Sequence, residues 1–147
     1  RLNLDYMICS NICIPMQAKL TLKLGENQPD GVTVALVQQY LELVPKGTKF
    51  SGLHIISATV SGNAGLQILH VHGHAEQPFR SPDLMVEGPK SFAFGRPKIT
   101  LSSKGHDVVM EVPVYAGTGK FKLTNQALTL TMVDGKRALQ QRLILGR

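Results

Sequence analysis

Leu128-Thr129-Leu130-Thr131-Met132-Val133-Asp134-Gly135 is the stretch that decides the class of fold. Leu128, Leu130 and Met132 alternate with Thr129, Thr131 and Val133, the two-residue period of a strand with one face toward a core. Asp134-Gly135 then interrupts the run, and a second apolar-rich run extends from Leu139 to Leu145. Asp-Gly between two such runs is the strongest short-range signal for a β-hairpin, because the turn needs residues that tolerate positive φ.

Similar runs recur upstream. Val108, Met110, Val112 and Val114 mark one face of a longer strand, and Lys98–Leu101 and Asp83–Val86 read as short strands. His54–Val60 and Leu66–Ala75 form a second hairpin around Ser61-Gly62-Asn63-Ala64-Gly65. Near the start, Leu20, Leu22 and Leu24 alternate with Lys19, Thr21 and Lys23, which predicts a half-buried strand over 18–24, followed by a loop over 25–31. One segment changes period: Val34, Val37, Leu41 and Val44 recur at helical spacing, with Asp30 placed to cap and Pro45 to stop the helix. Eight or nine short strands with frequent Gly/Pro turns and one short helix predict an all-β fold, a β-sandwich in a single domain over 1–147.

Bulk properties narrow the functional classes. The apolar fraction of 43% and charged fraction of 18% are those of a chain that builds a core. No run approaches the roughly 18 apolar residues of a membrane span. The net charge is +6, but the basic residues are scattered in pairs, Lys19/Lys23, Lys120/Lys122 and Lys136/Arg137, without interleaved aromatics. That excludes a nucleic-acid stacking platform and favours acidic protein partners. The chain opens on Arg1-Leu2-Asn3-Leu4, which already reads as a strand, so it is expected to be a piece of a longer precursor.

The chemistry-bearing feature is Cys9-Ser10-Asn11-Ile12-Cys13, which holds both cysteines of the chain. A structural bridge closing so short a loop removes only about 2 kcal/mol of unfolded-chain entropy, against nearly 5 for a loop of about 100 residues. Buried free thiols are a second reading. A zinc site needs about four ligands, and two cysteines do not supply them. Thiol–disulfide exchange needs only two thiols able to approach within a Cα separation of about 4.4–6.8 Å, which this spacing permits in a helical turn or a tight loop. Ser10 and Asn11 suit an exposed turn, and Ile12, Ile14 and Pro15 offer an apolar rim for a partner; no Lys, Arg or His lies within the motif to lower a thiol pKa.

Other candidates are weaker. His70, His72 and His74 share one strand face, roughly 7 Å apart along it, a comb that could bind copper or zinc or could be a solvated polar face. His54 and His106 read as isolated. Asp83 and Glu87 more simply flank a strand than form an acid/base pair, and Gly117-Thr118-Gly119-Lys120 lacks the full phosphate-loop pattern.

Tyr6-Met7-Ile8-Cys9-Ser10-Asn11-Ile12-Cys13-Ile14-Pro15 resembles the Y-x-x-C-x-x-x-C-[IV]-P signature of the periplasmic domain of ScsB. ScsB is the membrane thiol reductase of the suppressor-of-copper-sensitivity system, related to the N-terminal domain of the disulfide reductase DsbD. Residues 82–89 and 128–137 also look like this family. The resemblance implies an immunoglobulin-like sandwich in the periplasm, a soluble domain of an inner-membrane protein. It implies a protein-disulfide reductase without a cofactor, in which Cys9 and Cys13 are the catalytic pair. A membrane-embedded domain of the same protein would reduce them, and they would reduce thioredoxin-like proteins of the ScsC type. By analogy with DsbD, Cys13 is the nucleophile and Cys9 the resolving thiol, although DsbD's own pair is more widely spaced. A non-catalytic interaction module with a static bridge, and a metal-binding domain using the histidine comb, are the alternative readings.

Overall fold

A computed structural model describes residues 1–10, 12–23, 30–45, 47, 51–63, 65–117 and 122–146. Its elements are strands β1 (Leu2–Cys9) and β2 (Cys13–Leu20), helix α1 (Gly31–Leu43), and strands β3 (Leu53–Asn63), β4 (Leu66–Ala75), β5 (Pro82–Glu87), β6 (Phe92–Phe94), β7 (Lys98–Leu101), β8 (Asp107–Ala116), β9 (Ala127–Asp134) and β10 (Arg137–Ile144). The chain divides into two compact units, Arg1–Val37 and Gln38–Arg147.

The larger unit contains the all-β sandwich. One sheet has the order β10-β9-β5; the other runs β3-β4-β8-β6, with β7 also pairing β8. All of these pairings are antiparallel. The predicted alternation is realised: Leu69, Val71, Val108, Met110, Val112 and Val114 of one sheet and Leu84, Leu128, Leu130, Met132 and Leu139 of the other are buried in one core. Gly73 continues the inward face of β4. A Cβ there would come within 2.9 Å of Met132 Sδ and Val108 Cγ1, so glycine is what lets the sheets close at this point.

The Asp134-Gly135 turn forms as the sequence predicts. Asp134 and Arg137 are the last paired residues, and Gly135, at the first loop position, takes φ 62°. That is the position where a type II′ hairpin requires glycine. Asp134 has a second role. Its buried carboxylate accepts hydrogen bonds from the backbone N–H of Arg80 (3.0 Å) and Ser81 (2.6 Å) and pairs with the Arg137 guanidinium. Arg137 in turn donates to the carbonyls of Gln77 (2.9 Å) and Pro78 (3.1 Å) and lies over the Phe79 ring. The clasp ties the β4–β5 loop to the β9–β10 turn, and among the described residues no buried side-chain polar atom lacks a partner.

The helix is capped as predicted. Asp30 Oδ1 accepts the Thr33 backbone N–H at 2.8 Å, and the helix ends before Pro45. Its apolar residues stay exposed, however, so the helical period marks no core face here. The predicted strand over 18–24 is corrected. β2 begins earlier, at Cys13, and ends at Leu20; its residues are exposed apart from the half-buried Ala18, and Leu24 lies outside the described residues. β6 was not predicted: three residues with glycines and prolines nearby give too short a period to read.

Burial pushes the Asp134 carboxyl up, but the Arg137 hydrogen bond and the two backbone N–H bonds outweigh it and leave the pKa below the ordinary value. A carboxyl depressed in the folded state stabilises the fold above the unfolded pKa, near 3.9, and loses that contribution as pH falls through the lower folded value. Asp134→Ala should therefore destabilise the domain by about 2 kcal/mol at pH 7 and flatten the stability profile below about pH 4 in urea titrations. An unchanged profile would remove the clasp from the account.

Candidate functional site

The smaller unit contains both cysteines. β1 and β2 pair antiparallel as a two-stranded sheet, in the register Leu2↔Leu20, Leu4↔Ala18, Tyr6↔Met16, Ile8↔Ile14 and Cys9↔Cys13. Directly opposed residues share a face, and successive pairs alternate faces. One face therefore holds Leu2, Leu4, Tyr6, Ile8, Ile14, Met16, Ala18 and Leu20, all apolar apart from the tyrosine hydroxyl. The other carries Cys9/Cys13, then Met7/Pro15, Asp5/Gln17 and Asn3/Lys19.

The cysteines close the ladder at its loop end. Ser10 N–H donates to the Ile12 carbonyl at 3.0 Å within the connecting loop, and Ile12 is 71% exposed. Cys13 is exposed and disulfide-bonded, and the chain has one other cysteine, Cys9, its opposite number in the register. Among the described residues there is no free cysteine. Of the expected helical turn or tight loop, the second is realised: the cysteines oppose each other across a short hairpin connection. Of the expected rim, Pro15 shares the cysteine face while Ile14 points to the opposite one. Met7, exposed at 67%, stands across from Pro15 and makes with it an apolar step beside Cys13 along β2. A cavity of about 520 Å³ lined by Asp5, Tyr6, Met7, Pro15, Met16 and Gln17 adjoins this step. The strict alternation of Leu2, Leu4, Tyr6 and Ile8 is the sequence signal that locates this arrangement.

Asp5 is the nearest charged residue to the pair on its face, two register steps away, or roughly 13 Å along the strand. At that range solvent and salt screen its effect on a thiolate.

The histidines group differently from the sequence reading. His70, His72 and His74 share the outward face of β4, as expected, but they do not converge: among the described residues no three His, Cys, Asp or Glu side chains form a ready metal set. His70 Nε2 is 2.7 Å from Ser61 Oγ, and its Nδ1 is 3.6 Å from Glu111. His54 and His106 are not isolated. His54 is the cross-strand partner of His74, and the His106 ring stacks on His74 with centroids 6.3 Å apart. Asp83 serves its own strand, accepting the Leu84 N–H at 2.8 Å. Residues 118–120 of the discarded phosphate-loop candidate lie outside the described residues.

Fold and site together define a β-sandwich protein bearing a hairpin with an exposed disulfide. Residues 43–147 match the model of a family described as Domain of unknown function (DUF8393), and the chain belongs to that family. The matched region holds the sandwich and begins after the cysteine hairpin. No curated protein sequence matches. Among solved structures, the N-terminal periplasmic domain of ScsB from Proteus mirabilis is similar over 99% of this chain, hairpin included, with a TM-score of 0.64 and 22% identity. The chain spans 58% of that structure's length. The fold resemblance expected from the sequence is thus present. Among the described residues no helix is long and apolar enough to cross a membrane.

The exposure of Cys13 makes a direct prediction. Mild dithiothreitol followed by a thiol alkylator should label Cys13 in the folded protein, without denaturant. Labelling that begins only at the unfolding midpoint would contradict the exposed hairpin.

Proposed function

We propose that the chain performs protein thiol–disulfide exchange through Cys9 and Cys13. The observation that carries this reading is the placement of the two cysteines as an opposed pair at the exposed loop end of a hairpin, with Cys13 already disulfide-bonded. A bridge there is poorly placed to stabilise a core but well placed to meet a partner sulfur, and its loop is too short to add much stability. The similarity to the periplasmic domain of ScsB supports the same reading and a periplasmic location.

In the reduced state the Cys13 thiolate attacks one sulfur of a partner disulfide. The partner's S–S bond breaks, a mixed disulfide forms, and the partner's other sulfur leaves as a thiolate that takes up a proton. The Cys9 thiolate then attacks Cys13 Sγ, expels the partner's second thiolate and forms the Cys9–Cys13 disulfide. Two electrons pass to the partner and no diffusible cofactor is needed. A membrane-embedded dithiol domain of the same protein restores the pair by the reverse exchange, and periplasmic thioredoxin-like proteins of the ScsC type are the electron acceptors. Met7 and Pro15 form the apolar step on which an acceptor seats. Because no charge lies close to the pair on its face of the hairpin, ionisation of the attacking thiol is completed by groups the partner brings.

The test is a trapping experiment. Cys9→Ser should accumulate a mixed disulfide between Cys13 and a thioredoxin-like acceptor on a non-reducing gel, and Cys13→Ser should not. Trapping by the Cys13→Ser chain alone would reverse the roles; trapping by neither would end the relay reading in favour of a static bridge.

A further inference from the structure

All five histidines of the chain lie on one side of one sheet or at its edge: His54 on β3, His70, His72 and His74 on β4, and His106 just before β8. Two of them are prepared in a specific way. His74 Nδ1 lies 2.8 Å from Asp107 Oδ1, and His106 Nδ1 lies 2.9 Å from the Ala75 carbonyl oxygen. Both partners are acceptors. Each imidazole must therefore carry its proton on Nδ1 and present an unprotonated Nε2 lone pair when neutral. The two rings stack with centroids 6.3 Å apart and planes inclined by 27°.

This is the outer-shell pattern of metal-bound histidine, in which the second ring nitrogen donates to a carboxylate or a backbone carbonyl and so fixes both tautomer and ring orientation. We propose that His74 and His106 form the core of a surface site for a borderline divalent transition cation of the zinc class, with His54 as third ligand and water completing the shell. His54 stands directly across the ladder from His74, where opposed Cβ atoms are about 5 Å apart. Its Nε2 makes a long contact, 3.8 Å to Glu76 Oε1, which a side-chain rotation breaks at small cost. Two prepared imidazoles and a third that must turn explain why the side chains do not already converge. Imidazole nitrogen is the donor that suits this class of cation, and three protein ligands plus water is one of its ordinary arrangements. His70 is excluded, because its Nε2 is engaged by Ser61. The site is therefore not the evenly spaced comb of β4 but a cross-strand group at the end of that strand. It does not involve the cysteines and stands or falls apart from the exchange reading.

The experiment is calorimetric titration of zinc chloride into the full chain with its disulfide intact, so that no thiol competes. Saturable binding at one ion per chain is expected. His74→Ala and His106→Ala, each checked for native circular dichroism, should weaken it at least tenfold, and Asp107→Asn by ten- to a hundredfold through loss of the orienting carboxylate. His70→Ala should bind as the parent does. All four positions are exposed or half-exposed, and either folded histidine variant alone decides the question. The proposal is overturned if the parent chain shows no saturable binding, if a folded His74→Ala or His106→Ala variant binds as tightly as the parent, or if His70→Ala weakens binding equally.

Discussion

The packing of β4 and β8 against β9 is the constraint from which the rest of the sandwich follows. Leu69, Val71, Met110 and Val112 must meet Leu128, Leu130 and Met132, and Gly73 must stay bare for Met132 to reach it. Because the side-chain period of a strand is two, a slip of one residue in β4 would turn its leucine and valine outward and drive His70, His72 and His74 into the core. The hydrophobic core therefore fixes the polar face. The same register that buries Val71 sets His74 beside Asp107 and across from His54. Asp134 and Arg137 hold the β4–β5 loop that follows directly on this end of β4, where a buried carboxylate finds enough donors to offset its desolvation.

The hairpin obeys the same periodicity with a different result. Its two faces are sorted into one that is almost wholly apolar and one that carries Cys13. A two-stranded hairpin is marginal as an independent structure, and a covalent link between opposed positions at its loop end restrains the connection when oxidised. Under the proposed exchange, reduction would remove that restraint at the place where a partner must gain access. The proposed chemistry would thus be coupled to the local stability of the loop through one bond. The family match covers the sandwich, and the fold similarity to the ScsB domain covers hairpin and sandwich together.

Most of the sandwich was legible because its strands alternate strictly and its turns use Gly where positive φ is needed, as at Gly135. The helix and its Asp30 cap were legible for the same local reasons. What failed depended on pairing rather than period. Leu20, Leu22 and Leu24 alternate convincingly, yet β2 is paired only as far as Leu20, the partner of Leu2, and pairing is not visible in a local pattern. The cysteines looked like members of a turn because their spacing is short; only the register shows that they terminate two strands. His106 lies far from the comb in sequence and joins it through the β4–β8 pairing, which no local pattern reports.

Under the proposed function, Cys9 and Cys13 cycle under physiological poise rather than form a permanent bridge. The reduction potential of the pair, measured in the folded chain against a glutathione or dithiothreitol redox buffer, tests it most directly. An electron relay predicts a value above about −300 mV, within reach of thioredoxin-like partners. A value far below about −300 mV would mark an inert structural disulfide and contradict the account.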